Sequence, residues 1–351
     1  MPDITARDLA SKLGISAAAV SMALNGKPGV SPETRSKVLA AAAELGYATP
    51  KSRQAEQQAK NILSFVIFTG IGVAEQTTFS NFVMRGAEAA AKEHGYRLLL
   101  HYFYADQPWD VQIKHIVSDA CGVILLATDV SVPQRNLFIQ YSEFVSVPVV
   151  VVDNFLFSAY TDCVGNDNTY GVKSAVSYLI ECGHRKIGYL RSKQRVVNFD
   201  DRELGVQLSL AEHKELGLDP LQVIDVDISP DQAYRDIVAW LNAGNVPAAA
   251  FFAENDMLAA TFIRALKECG YRVPDDVSVI GFDDVLICEM VEPPITTMQA
   301  FKERLGRVAT TLLEFRIHSG DTLQTSPQSG LMKIALSLQL KERASVKKIV
   351  Q

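Results

Sequence analysis

No apolar stretch in this 351-residue chain is long enough to cross a bilayer. Its longest aliphatic runs, such as Val149–Val152 and Val123–Ala127, fall far short of the ~20 residues that a spanning helix needs. Cysteine is sparse: Cys121, Cys163, Cys182, Cys269 and Cys288 are scattered without a C-x-x-C pair. That argues against a metal ribbon or a disulfide framework and predicts reduced thiols in a cytosol. The first residues, Met-Pro-Asp-Ile-Thr-Ala-Arg-Asp, lack the apolar segment of a secretory leader, so a cytoplasmic location is expected. Chemistry-bearing motifs are missing too. His94, His101, His115, His184, His213 and His318 show no metal-ligand spacing, and there is no G-x-S-x-G elbow and no P-loop. Asp283 and Asp284 are adjacent, and neighbours in sequence rarely face one cleft together. No catalytic residue, metal or cofactor is therefore expected.

What is present looks like an ordinary globular chain. Apolar residues make up 48% and charged residues 21%, and the length suits two or three folding units at ~100–200 residues each. The net charge of −6 is unevenly spread: residues 1–60 carry +3, leaving −9 for the remainder. A small basic head on an acidic body suggests a nucleic-acid module joined to something that is not one.

The texture changes along the chain as well. Thr5 can cap a helix carrying Leu9, Ala10 and Leu13, which Gly14 ends. Ser16 can cap the next, with Val20, Ala23 and Leu24 inward. Ser31-Pro32 starts a third, with Val38, Leu39, Ala42 and Leu45 on one face. Residues 48–61 hold no large apolar side chain before Ile62 and read as a hinge or linker. From Ile62 onward apolar bursts alternate with amphipathic stretches, which predicts parallel sheets covered by helices on both faces. A four-unit βα series ends near Asp153 and another begins near Lys186, favouring two doubly wound sheets. The expected class is thus α/β behind a small all-α head. Ligands of open α/β sheets bind outside the strand C-termini, so two facing lobes would form a cleft.

Asp8-Leu-Ala-Ser-Lys-Leu-Gly14-Ile-Ser-Ala-Ala-Ala-Val20 has the helix-turn-helix pattern: small Ala10 where helices touch, Gly14 in the turn, Val20 in the core. The second helix would expose Ala17, Ala18, Ser21, Met22 and Asn25. Ala and Met suit thymine methyls, and Ser and Asn reach phosphates or base edges. A helical bundle for protein contact is the alternative.

Here a resemblance enters. Ile4–Asn25, Val30–Val38 and Ala43–Tyr47 look like the DNA-binding head of LacI/GalR-family transcription regulators. The blocks Arg85–Tyr96, Val164-Gly-Asn-Asp-Asn168, Leu179–Tyr189, Arg202-Glu-Leu-Gly205, Ala253–Met257, Val273–Asp284 and Pro293–Thr297 are similar to the ligand core of that family, so the resemblance covers nearly the whole chain. It implies a head (1–47), a hinge (48–61), a periplasmic-binding-protein-like core (62–340) and a tail (341–351). The core would have one lobe from 62–162 with 293–325 and another from 163–292 with 326–340, crossing near Asp162, Glu292 and Ser326. It further implies an effector-responsive homodimer, usually a repressor of carbohydrate-related genes, on pseudo-palindromic operator DNA. Thr5, Ser16, Thr34, Arg35 and Tyr47 would add DNA contacts.

For the effector the resemblance points to Asp153 and Asp283 as carboxylates at strand ends, Arg202 as a planar donor fork, Asn255 as donor and acceptor, and Phe79 as a stacking ring. Each has a structural alternative: Arg202 pairing with Asp200 or Asp201, Asp283 capping a helix, Phe79 in the core. Ile228 lies where sugar-responsive relatives often carry an aromatic, which weakens a flat-stacked hexose. The expected effector is a sugar or related polyol, with a nucleobase as the lesser option. Residues 51–60 lack the apolar wedge that kinks DNA in relatives, and no leucine heptads follow Leu340, so a dimer is expected. The wedge-free hinge also motivates a second reading, a sensor of small molecules or partners with weak DNA binding.

Overall fold

The computed structural model describes residues 6–24, 29–44, 61–70, 78–320 and 330–349. They fall into two compact units, divided between Ile62 and Leu63. Most of the expected hinge, and Thr5, Asn25 and Tyr47, lie outside the described residues.

The first unit holds three helices: α1 (Ala6–Leu13), α2 (Ala17–Leu24) and α3 (Pro32–Glu44). Gly14 closes α1 at φ +63°, and the Ile15 amide returns to the Ala10 carbonyl (3.1 Å), the left-handed stop that only glycine adopts at low cost. Ser16 then caps α2 by accepting from the Ala19 amide (3.1 Å). Leu9, Ala10, Val20, Ala23, Leu24, Val38, Ala41 and Ala42 form the core. Leu39 instead faces solvent at 45% exposure, because Ala41 and Ala42 carry the inward face of α3.

The second unit contains two six-stranded sheets. The first is built from β1 (Ile62–Thr69), β2 (Arg97–Tyr104), β3 (Gly122–Leu126), β4 (Val149–Val152), β5 (Asp162–Asn166) and β11 (Lys333–Leu336), in the order β11-β5-β4-β3-β1-β2. The second is built from β6 (Ile187–Ser192), β7 (Gln222–Val226), β8 (Ala250–Ala253), β9 (Ser278–Asp283), β10 (Thr296–Gln299) and β12 (Gln339–Lys341), in the order β12-β10-β9-β8-β6-β7. Its pairings are parallel except β10 with β12.

Each sheet is covered on both faces. On the first, α4 (Phe79–Glu93) and α12 (Lys302–Ser319) seal a core around Leu63, Phe65, Ile124 and Val150. α5 (Trp109–Ser118) and α6 (Val132–Gln140) lie over the other face, around Val66, Phe103 and Val151. On the second, α7 (Asn168–Glu181) and α8 (Val197–Glu212) cover one face, and α9 (Pro230–Asn242) and α10 (Asp256–Glu268) the other. A one-turn α11 (Ile287–Met290) follows β9. Burial on both faces explains why the inner strands read as continuous apolar bursts: all five residues of β3 and all four of β8 are buried.

The chain crosses between lobes three times, at different places from those expected. Asp162–Asn166 pairs with β4, so the first crossing follows Asn166 rather than preceding Cys163. Thr296–Gln299 pairs with β9, so the second follows Gln299, not Glu292. Lys333–Leu336 pairs with β5 and Gln339–Lys341 with β10, which puts the third between them instead of near Ser326. The short β5 offers only Cys163 and Val164 as core side chains, too few to register as a burst. The residues after β12 are not a loose tail: Ser345 is buried, the Val279 amide donates to its carbonyl (2.8 Å), and the Ile349 amide donates to Cys182 (2.7 Å). No helix among the described residues is long and apolar enough to cross a membrane.

Candidate functional site

In the core unit the C-terminal strand ends carry the polar residues. Asp153 follows β4 at φ +62°, Asp283 ends β9 at φ +106°, and Asp284 follows at +54°. Left-handed backbone at non-glycine residues is costly and persists where the surroundings enforce it, a recurrent mark of ligand sites.

These residues form one chain of hydrogen bonds. The Asn198 amide of α8 donates to Asp153, both to the carbonyl (3.1 Å) and to Oδ2 (2.9 Å), and thereby bridges the lobes. Thr128 donates to the same Oδ2 (2.8 Å). Asn168 donates to Asn198 (3.2 Å) and accepts from Arg202 Nε (3.0 Å). The other two nitrogens of Arg202 donate to the Glu254 carbonyl and to Asp283 Oδ1 (3.3 Å), while its guanidinium lies 3.8 Å from the Phe282 ring centroid. Arg202 thus pairs with neither Asp200 nor Asp201. Lys302, at the start of α12, donates to the carbonyls of Asp283 (2.5 Å) and Asp284 (3.0 Å), a second bridge between lobes.

Two buried groups are left over. Asp153 Oδ1, and both the oxygen and the nitrogen of the Asn166 side chain, have no hydrogen-bond partner among the described residues. Buried polar atoms are nearly always paired, so these atoms at the ends of neighbouring strands β4 and β5 are candidates for ligand contacts. Burial pushes the Asp153 carboxyl up to about 7, against the pull of Thr128 and Arg202. It also raises Asp283, opposed by Arg202 and Lys302.

Other expected residues fall differently. Asn255 is buried, and its Oδ1 caps α10 by accepting from Leu258 (2.8 Å). Next to it, Glu254 accepts from Tyr189, the Ser192 amide (2.6 Å) and Arg195 (2.5 Å). Ile228 packs in a small cluster with Val196 and Phe199, and the Phe199 ring lies 5.6 Å from the Arg202 guanidinium, farther than that of Phe282. Phe79, expected as a stacking ring, sits in the first lobe's core with Val83 and Leu305, because the first turn of α4 points at the sheet. Asn166 and Asn168 lay within a motif already singled out. Asn198 carried no motif; its signal is its place one helical turn before Arg202.

In the head, Ala17, Ala18 and Ser21 are exposed on α2, beside Ser16. Met22 is half-buried and lies against Gly29. Thr34 is half-buried, its hydroxyl 2.8 Å from that of Ser31 and its amide donating to the same oxygen (3.2 Å), which caps α3. Arg35 is half-buried beside it. A helix packed on a second helix with a small-residue face outward has the geometry of a major-groove reader.

Comparison with known proteins agrees with both halves. Residues 5–50 match the model of bacterial regulatory proteins of the lacI family, and 176–346 match that of a periplasmic binding protein-like domain. The chain is 30% identical over 316 residues to the HTH-type transcriptional regulator GalS of Salmonella typhimurium, covering 88% of each protein. The chain belongs to the lacI family. It is a DNA-binding transcription regulator with a helix-turn-helix head and an effector-type core. It is likewise 29% identical over 352 residues, 99% of each chain, to the HTH-type transcriptional repressor PurR of Haemophilus influenzae. Among solved structures this lacI-family regulator resembles the CelR–cellobiose complex (TM-score 0.66, 26% identity, 97% of this chain and 99% of that one). The lac repressor dimer bound to operator shares the fold (TM-score 0.70, 22% identity, 98% and 99%).

Proposed function

We propose that the chain is a non-catalytic, cytoplasmic repressor that binds a pseudo-palindromic operator as a homodimer and answers to a sugar or related polyol held between its lobes. The orphaned pair at the strand ends, Asp153 Oδ1 and the Asn166 amide, carries this reading. A hydroxyl both donates and accepts, so a polyol can satisfy either group. Arg202, Asp283, Asn198 and Asn255 would complete the site, and the CelR–cellobiose complex supports a carbohydrate. The dimer is supported by β2, an edge strand that exposes Leu99, Leu100, Tyr102 and Tyr104 to solvent. Operator contact is assigned to Ser16, Ala17, Ala18, Ser21 and Met22, with Thr34 and Arg35 at the backbone. Without an Arg or Lys among the groove-facing residues of α2, specificity rests on methyl contacts and DNA shape.

Regulation follows if the effector binds the two lobe arrangements unequally; equal affinity would change nothing. A gel shift on the DNA upstream of its own gene, with and without candidate sugars, tests this. Sequence-selective binding that weakens with salt and changes with effector is expected. Absence of selective binding under every effector condition would defeat the regulatory reading for this DNA. A thermal-shift screen with sugars and nucleosides identifies the ligand class, since a ligand stabilises by mass action.

A further inference from the structure

The first lobe carries a cavity of about 260 Å³ on the face of its sheet away from α4 and α12. Its floor is Val123, Leu125, Val149 and Val151, and its cover is Phe138 and Ile139 of α6. Three observations set it apart. First, the lining is mostly apolar, with side-chain hydroxyls only on Ser142, Tyr160 and Thr161. Among the described residues no lining atom is a buried polar group without a partner, and the Thr161 hydroxyl at the edge already donates to the Val149 carbonyl (2.5 Å). Dry apolar cavities take apolar ligands.

Second, the cover is only partly buried, although Phe138 of α6 packs its ring against Trp109 (4.6 Å between centroids) and Phe103 (5.2 Å). Neither α6 nor the 3₁₀ turn after it, Tyr141–Phe144, contributes a fully buried residue, whereas α5 on the same face buries Trp109, Ile113 and Ile116. Interiors normally pack to crystal density, so a helix laid over a sheet with a cavity beneath it leaves room for an occupant. Third, two cations stand near the rim, with the acids Asp110 and Glu143 beside them. Lys114 Nζ lies 4.5 Å from the centroid of Phe144, and the Arg135 guanidinium 5.8 Å from that of Tyr160. Tyr160 lines the cavity, and Phe144 lies between the lining residues Ser142 and Val145. Asp110 approaches Lys114 (3.6 Å) but leaves it more than half exposed.

We propose that this cavity is a binding site for a small apolar monocarboxylate, its hydrocarbon on the valine floor and its carboxylate at the Lys114–Arg135 rim. A 150 Å³ apolar cavity holds benzene, so 260 Å³ suits about ten non-hydrogen atoms, the size of octanoate. The site is independent of the cleft between the lobes and does not rest on the effector reading.

Octanoate titrated into the full chain, followed by calorimetry and by methyl NMR, tests it. Saturable one-to-one binding is expected, shifting the methyls of Val123, Val149 and Val151. Octanol should bind more weakly. Lys114→Glu with Arg135→Glu should weaken octanoate by about two- to fivefold, the size of an exposed charge contact, and leave octanol unchanged. Val151→Phe, which fills the cavity from the floor, should abolish binding; should that chain not fold, Ile139→Phe fills it from the cover. Unmoved methyls at saturating octanoate, or binding that survives a folded filling variant, would overturn the site. Octanol binding as tightly as octanoate would overturn the carboxylate assignment.

Discussion

Helices α4 and α12 meet at Gly86 and Gly306 with no room for a side chain, and a single methyl group tests it. A Cβ added to Gly86 would stand 1.9 Å from the Glu303 carbonyl oxygen, and one added to Gly306 would stand 1.9 Å from that of Val83. Carbon atoms of this kind essentially never approach within 3.0 Å, so each alanine forces the helices apart by more than 1 Å. The obstacle is backbone and cannot rotate away. Moving α12 also lifts Leu305, Ala309 and Leu313 from the first core. Overpacking costs about 1–3 kcal/mol or more, while Gly→Ala inside a helix returns about 1 kcal/mol. We expect Gly86→Ala and Gly306→Ala each to lose about 2 kcal/mol net, near the upper end of that range, lowering the melting temperature of the core by about 4–8 °C. Once the first alanine has separated the helices, the second meets less resistance, so the double variant should cost less than the sum. Thermal melts followed by circular dichroism, with urea titration, measure both effects. An unchanged or raised melting temperature in Gly86→Ala would show that the helices do not meet as described.

Arg316→Met strands Asp162, which is 1% exposed and held by Arg316 at 2.6 and 2.9 Å; a loss of about 3–5 kcal/mol is expected, largely recovered in the double variant with Asp162→Leu, as urea titration would show. Arg202→Ala removes three donors from the cleft and should weaken effector binding by about tenfold or more in calorimetry, while Arg202→Lys, which lacks the planar fork, should rescue little. The Asp153 carboxyl titrates near 7 in the fold and about 4 unfolded. A raised folded pKa means that folding takes up a proton, so its contribution is complete below pH ~4 and fades as pH rises through ~7. Glu254 and Asp256, both raised by burial to about 7, act in the same direction. The ligand-free melting temperature should fall from pH 5 to 8, and Asp153→Asn should flatten part of that slope; an unaltered slope in the variant would reject the assignment.

Local sequence determined much of this protein. Gly14 and Ser16 specify the turn of the head by backbone freedom and side-chain capping, which act over a few residues. The apolar bursts specify the inner strands because burial on both faces demands it, whatever the order of the strands. The strand-end carboxylates were legible in their motifs for the same local reason. Tertiary structure decided the rest. The polar β5 and the terminal β11 and β12 exist as strands through partners far away in the chain, so the lobe crossings could not be placed from pattern alone. Phe79 went to the core because the orientation of its helix, not residue type, sets where a ring points. Asn198 became a bridge only when the two lobes met. The unpaired atoms of Asp153 and Asn166, on which the proposed site rests, are a property of what surrounds them in space.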